Sequence, residues 1–329
     1  MKFLPYDEAG NTPNIIVDGA ATTNTVVTLS HWPRSGCPEE LLADTSTAIV
    51  YKYLETPSAH VAAEAVSNNH FDEDGLLGMF ALLQPELGAR HRPLCIDVAQ
   101  AGDFGVFLSR QAARIAFTIN ALSKRATSTL PADIFALPYP QQTAALYVKL
   151  LDLMPDLLSD TARFKALWEP EDDRLEQTEE LFARGLITIE EKPALDLAIV
   201  RISPHANRGS FDVLHRFAVH NRTLCTRLVI VQGRRLAFEY RYESWVQFMS
   251  RYPLPRVDLE PVVKLLNDCE RSGGRWIFEG VSDITPCLRL EQAPESTVDI
   301  NQVIRLLERE LSYGKPAWQP YAEALQATL

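Results

Sequence analysis

The sequence predicts an α/β protein: a mainly parallel sheet in an N-terminal domain, followed by a smaller mixed α/β domain. Three observations lead there. Strand-like and helix-like segments alternate through the N-terminal half, the succession that lays helices over parallel strands. The composition is that of a folded chain, 46% hydrophobic and 23% charged. The length, 329 residues, favours two cores over one. The acidic stretch EPEDD at 169–173 marks the expected boundary, giving domains 1–168 and 172–329.

Taken in order, NIIVDG (14–19) and TVVTLSHW (25–32) are apolar and β-branched and read as strands. TSTAIVYKYLE (45–55) reads as a helix with Asp44 as its N-cap. AEAVSNN (63–69) reads as a strand, and LLGMFALL (76–83) as a helix. LCIDVA (94–99) reads as a third strong strand. In FLSRQAARIAFTINALSK, apolar residues at 108, 112, 115, 119 and 122 form one helical face. ATSTLPADIFALPYPQ (126–141), with three prolines, is a connector, and helices follow to about residue 168. DDRLEQTEELFARG is a helix stopped by Gly185. LCTRLVIVQGRRLAFEYRYE is a hairpin, because Phe238, Tyr240 and Tyr242 alternate with charged residues. EPVVKLLNDCERSGG is a helix with Pro261 in its first turn, RWIFEG a strand, and INQVIRLLEREL a last amphipathic helix with Ser296 and Asp299 as a capping box.

Between the strand ending at Asn69 and the helix starting near Leu76 lies HFDEDG. In α/β sheets, ligands bind at the carboxyl edge, where strands give way to helices. His70, Asp72 and Asp74 fall there. His31 closes the second strand, Asp97 lies in the third, and Asp103 comes just after it. Imidazole nitrogen with several carboxylates suits Mn²⁺, Fe²⁺ or Zn²⁺. A carboxylate shared by two ions would hold them about 3.5–4 Å apart, the spacing that activates water and neutralises a phosphoryl oxygen. Gly75 would let the backbone turn tightly. The bland alternatives are a helix cap at Asp72 or Asp74 and a packed aromatic turn at His31-Trp32-Pro33. An EF-hand is excluded, because loop position 12 falls on Ala81 or Leu83 rather than on Glu. P-loop, GxGxxG and GxSxG motifs are absent.

His70-Phe-Asp72-Glu-Asp74-Gly75, after a strand and before a helix, resembles the first motif of the DHH phosphoesterase superfamily. The resemblance implies Mn²⁺ on His70, Asp72 and Asp74, with Asp97 at the bridging position, and hydrolysis of phosphodiester or phosphoanhydride bonds. Ser272-Gly-Gly-Arg275 is a faint echo of the superfamily's glycine-rich loop. The Asp-His-His motif has no counterpart, since no histidine occurs between His91 and His205. His31 or Asp18, from the early strands, would then complete the site. The whole chain also looks like a bacterial family with no assigned function, a likeness that supplies no chemistry.

From residue 201 onward there are 15 arginines and two lysines. Arginine forks bind phosphate or carboxylate bidentately, which makes Arg234, Arg235, Arg241 and Arg275 candidates for an anionic substrate. The alternative is an ordinary solvated face. His215, in HRFAVHNRT, joins His31 and Asp97 as a candidate acid or base.

The expected activity is metal-dependent hydrolysis of a phosphoester or phosphoanhydride in a small anionic substrate. Mn²⁺ is the expected cofactor, with Zn²⁺ or Fe²⁺ suited to the same donors. Hydrolysis of a C–N bond and non-catalytic binding of a metal or anion are the alternatives. The net charge of −11 argues against coating duplex nucleic acid or an anionic membrane. The expected compartment is the cytoplasm. MKFLPYDEAG has no apolar signal core, no run approaches the roughly 20 apolar residues of a span, and the five cysteines form no CxxC pair.

Overall fold

A computed structural model describes residues 1–207 and 209–321. The chain forms two compact units. The first holds Met1–Asp173 and Gln247–Ser250, the second Arg174–Val246 and the chain from Arg251 onward.

In the first unit, β1 (Lys2–Phe3), β2 (Asn14–Val17), β3 (Thr25–Leu29) and β4 (Ala65–Ser67) form one sheet in the order β1-β4-β2-β3, and every pairing is parallel. All four residues of β2 and all three of β4 are buried. This is the continuous apolar character of parallel strands covered on both faces. The helices are α1 (Tyr6–Ala9), α2 (Ser46–Glu55), α3 (Glu73–Leu83), α4 (Pro85–Arg90), α5 (Arg92–Phe104), α6 (Arg110–Ser123), α7 (Tyr139–Ser159) and α8 (Lys165–Ala183), the last crossing into the second unit. α3 is buried from Glu73 to Leu82 and packs against α2, α5 and α7.

Two sequence expectations change here. LCIDVA is not a strand but the middle of α5, which opens with Pro93 and closes on Gly105 in the left-handed region, φ 63°. A short apolar run does not separate strand from helix, whereas proline at the start and glycine past the end are helix punctuation. The helix over 46–55 is capped by Thr45, whose side chain accepts from the Ala48 N–H, and not by Asp44. EPEDD lies inside the continuous helix α8, and the two units divide at the end of that stretch, between Asp173 and Arg174.

The second unit is built on a sheet of β5 (Ile187–Lys192), β6 (Leu197–Ile202), β7 (Arg227–Gln232), β8 (Arg235–Tyr240), β10 (Arg275–Phe278) and β11 (Cys287–Glu291), in the order β10-β11-β8-β7-β6-β5. Only the β6–β7 pair of this sheet is parallel. β9 (Arg256–Val257) and β12 (Pro316–Trp318) make a separate antiparallel pair. Strand alternation sorts the core. Leu197, Ile199, Val229, Phe238 and Tyr240 share a cluster with α11 (Glu260–Cys269) and α12 (Ile300–Tyr313). Ala198, Val200, Leu228 and Ile230 share another with Leu214 and Val219, beside α9 (Ser210–Val213) and in α10 (Arg216–His220). The expected hairpin is β7–β8, with Gln232 opposite Arg235 and Gly233 at φ 60° in the turn, where hairpins favour glycine. Asp299 caps α12, but Ser296 does not complete a capping box, because its hydroxyl donates to Glu270.

Candidate metal centre

The carboxyl edge of the parallel sheet gathers side chains from three strand ends and two helices. β2 ends at Val17, and Asp18 comes next at φ 51°, a left-handed conformation that aspartate tolerates better than most residues. His31 lies two residues beyond β3 and is fully buried. His70, Asp72 and Asp74 come from the β4–α3 junction, and Asp103 from the last turn of α5.

These side chains form two groups that share Asp18. His31 Nε2 lies 3.3 Å from Asp18 Oδ1, 3.6 Å from Asp103 Oδ2 and 3.8 Å from Asp74 Oδ2. His70 Nε2 lies 3.2 Å from Asp18 Oδ2 and 2.8 Å from Asp72 Oδ2. Asp18, His70 and Asp72 offer ligand atoms within 4.8 Å of one another, and so do Asp18, His31 and Asp74.

The neighbouring hydrogen bonds define what each atom has left to give. His31 Nδ1 lies 2.6 Å from the Asp44 carbonyl oxygen. A carbonyl only accepts, so Nδ1 carries a proton, and whenever the ring is neutral its lone pair is on Nε2, facing the acids. Asp74 sits at the N-terminus of α2. Its Oδ2 accepts the Ser46 N–H at 2.6 Å and its Oδ1 the Thr47 N–H at 2.7 Å, an arrangement the helix dipole favours. Each of those oxygens retains a second lone pair. The Ser46 hydroxyl donates to Asp18 Oδ1 at 2.8 Å. Asp72 caps α3 through Oδ1, which accepts the Gly75 N–H at 2.8 Å, and turns Oδ2 to His70. Capping therefore uses one oxygen of Asp72 and leaves the other in the cluster.

Asp18 Oδ2, Asp103 Oδ2 and His70 Nδ1 are buried without a hydrogen-bond partner. Orphaned buried polar atoms are rare, because leaving them so is costly. Two such carboxylate oxygens, each beside a histidine Nε2, fit a cation-binding cluster. The donor set of imidazole nitrogen and carboxylate oxygen fits a divalent first-row ion.

Electrostatics point the same way. Burial, then the charges of Asp74, Asp72, Asp18 and Glu73, push Asp103 well above the usual carboxylate range. Burial and the charge of Asp18 raise Asp74 to about 6. Burial opposes ionisation of Asp18 as well, but the His31 and His70 rings beside it outweigh this and hold it low. Burial favours the neutral ring of His70, yet the charge of Asp72 and the nearby Asp18 carboxylate raise it to about 11. Protons on the histidines thus balance negative charge that a metal ion would balance when bound.

Gly75 does not turn the backbone. It lies in the first turn of α3, and a Cβ there would stand 2.3 Å from Asn68 Nδ2 and 2.6 Å from the Tyr147 hydroxyl. Its lack of a side chain lets Asn68 and the buried Tyr147, joined by a 3.0 Å hydrogen bond, pack under the motif.

The other expected site residues are in neither group. Asp97 is outside both groups: Oδ1 accepts the Leu108 N–H at 2.6 Å, and Oδ2 accepts the Ser109 N–H and hydroxyl at 2.9 and 2.7 Å. It fastens the loop before α6, and the shared carboxylate is Asp18. That role had one sequence signal, an acid directly at the end of the apolar strand NIIV. His215 is in the second unit and caps α10, its Nδ1 accepting the Phe217 N–H at 3.2 Å. Arg235 holds Asp212 through both terminal nitrogens and lies over the Phe211 ring. Arg241 is buried, pairs with Glu243, and donates to the Thr223 and Cys225 carbonyls. The Nε of Arg234 donates to the Ser296 carbonyl at 2.6 Å, and Arg275 is exposed at the start of β10. A cavity of about 500 Å³ adjoins Arg235, but Asp212 and Glu295 line it too, so its charge does not select an anion.

No curated protein matches the chain. Among solved structures, a pGpG-specific phosphodiesterase, PggH from Vibrio cholerae, is similar with a TM-score of 0.36 and 10% identity, over 78% of this chain and 81% of that one. At the level of sequence a family model matches residues 1–320, and the chain accordingly belongs to the family of unknown function DUF6687.

Proposed function

We propose that the chain is a metal-dependent hydrolase acting on a phosphoester or phosphoanhydride in a small anionic substrate. One observation carries this reading: two histidine–carboxylate groups converge on the single carboxylate of Asp18, with orphaned oxygens on Asp18 and Asp103. The likeness of HFDEDG to the first DHH motif supports it. In this reading His70 and Asp72 hold one divalent ion, His31 and Asp74 hold a second with Asp103 close by, and Asp18 serves both. A divalent ion bound there supplies Lewis acidity, polarising a phosphoryl oxygen and lowering the pKa of an attacking water.

The chain's own residues prepare that chemistry. The α2 N-terminus fixes Asp74 through two backbone donors. Ser46 fixes Asp18, and Trp32 packs against the His70 ring with centroids 5.0 Å apart. Rigid placement of charged groups before substrate arrives is what lowers a barrier at such sites. Mn²⁺ is the preferred ion because most donors are carboxylate oxygens.

The test is elemental analysis of protein purified without chelator, followed by phosphate release from mono-, di- and oligonucleotides and polyphosphate with added Mn²⁺. Stoichiometric metal with turnover on one substrate class is the expected result. Metal without turnover on any phosphate ester would move the assignment to C–N bond hydrolysis or to simple binding, and absence of metal after Mn²⁺ reconstitution would remove it.

A further inference from the structure

We propose that Asp44 is the positioning residue for His31, and that residues 247–250 hold Asp44 in place for that task. Asp44 lies in the loop before α2 and touches none of the carboxylates of the centre through its own side chain. Its backbone carbonyl meets His31 Nδ1 at 2.6 Å. Its side chain faces the other way along the chain: Oδ1 accepts the Met249 N–H at 2.7 Å and the Ser250 N–H at 2.7 Å. The same segment returns to His31, because the Gln247 N–H donates to the His31 carbonyl at 2.8 Å. Phe248 adds an edge-on contact with Phe104, centroids 5.1 Å apart, and Phe104 in turn packs edge-on against the His31 ring at 6.1 Å.

The four residues Gln247–Ser250 belong to the first unit although all its other residues precede Arg174. They bond the backbone of His31 and the carboxylate of Asp44 and pack on the ring of Phe104, three groups that each touch or adjoin this one imidazole. A histidine ligand needs its second nitrogen hydrogen-bonded, which fixes both the tautomer and the ring plane. Losing such a partner typically costs about 10–100-fold in metal affinity. The partner here is a backbone carbonyl, which no substitution removes directly. Its placement depends on the Asp44 side chain, which is the handle an experiment can reach. An aspartate that only closed a loop would not need to share its residue with the ring-orienting carbonyl, nor would its clamp need to bond the histidine's own backbone.

The purpose of this device rests on the metal reading above, but the hydrogen bond itself does not, and the experiment separates the two. The first readout is the His31 Nδ1–H signal in the metal-free protein, followed by ¹⁵N-edited NMR and its exchange with water. The second is Mn²⁺ affinity by calorimetry. In wild type the ring proton is expected to exchange slowly. Asp44→Ala, which takes both acceptor bonds from the 247–250 segment, is expected to speed that exchange at least about tenfold and to weaken Mn²⁺ binding by about 10–100-fold. Asp44→Asn keeps an oxygen acceptor and loses only the charge, and is expected to retain both properties. A slow ring proton with unchanged Mn²⁺ affinity in Asp44→Ala overturns the proposal. If Asp44→Ala does not fold, Asp44→Asn decides: loss of the slow ring proton there overturns it, and retention supports it. If wild type shows the slow proton and Asp44→Ala loses it, while neither binds Mn²⁺, the positioning role stands and the metal reading fails.

Discussion

At the scale of residues, the acids around HFDEDG have distinct partners, Asp72 with His70 and Asp74 with the Ser46 and Thr47 N–H groups, and the partners decide what a substitution does. Asp18 faces both histidines. Asp18→Asn should therefore lower metal content at both groups, where Asp97→Asn should leave it unchanged, because Asp97 is occupied by Leu108 and Ser109. Elemental analysis of the two purified variants checks this. Asp97→Asn should instead cost stability, on the order of 1–3 kcal/mol, since one of its oxygens becomes a donor facing a donor. Equal metal loss in both variants would return the bridging role to Asp97. Gly75 sets two effects against each other. Alanine gains about 1 kcal/mol of helix propensity over glycine, but its Cβ would stand 2.3 Å from Asn68 Nδ2, and forced overpacking costs about 1–3 kcal/mol. The clash should win, so Gly75→Ala should melt below wild type. A higher melting temperature would show that Asn68 and Tyr147 can move aside.

At the scale of elements, the second unit carries a knot of its own around Glu270, at the end of α11. Its carboxylate accepts from the Arg271, Ser272 and Thr297 backbones, the Ser296 and Thr297 hydroxyls and the Trp276 indole. It ties α11, β10 and the turn before α12 together. Burial opposes ionisation of Glu270, but those donors prevail and hold its pKa below the usual glutamate value. A depressed folded pKa gives stability that is present above the unfolded value, about 4.3, and is lost as pH falls below it. Glu270→Gln should lower the melting temperature at pH 7, by about 2–3 kcal/mol of stability, and the gap to wild type should narrow below about pH 4. Parallel melting curves across that range would count against the role. The elements that sequence showed well are those with strong local patterning: β2 and β3, the strand leading into HFDEDG, the β7–β8 hairpin and the amphipathic α12. α5 was not legible as a helix because LCIDVA is equally apolar in either period. The site was legible only as chemistry at strand ends. That Asp18, His31 and His70 meet depends on the order β4-β2-β3, and that Asp74 binds α2 depends on packing between helices. Neither leaves a mark in local sequence.

At the scale of the whole molecule, the chain carries a net charge of −11, and no described helix is long and apolar enough to cross a membrane. Its acidic cluster lies in the first unit, whose residues are not contiguous: Gln247–Ser250 complete what Met1–Asp173 begin. A fragment ending at residue 173 lacks the donors that reach Asp44 and His31. It should melt lower and bind Mn²⁺ more weakly than the full chain, as calorimetry of both would show; equal affinity would mean that the first part orders His31 unaided. The discontinuity also has a consequence in time. Asp103, the last acid of the cluster, leaves the ribosome about 140 residues before Gln247, so at about 5–20 residues per second the nascent centre waits roughly 7–30 s for its final strap. Through that interval a growing chain carries the acidic cluster with one histidine not yet anchored, and under the metal reading proposed above the ion would be held firmly only once residue 250 has been translated.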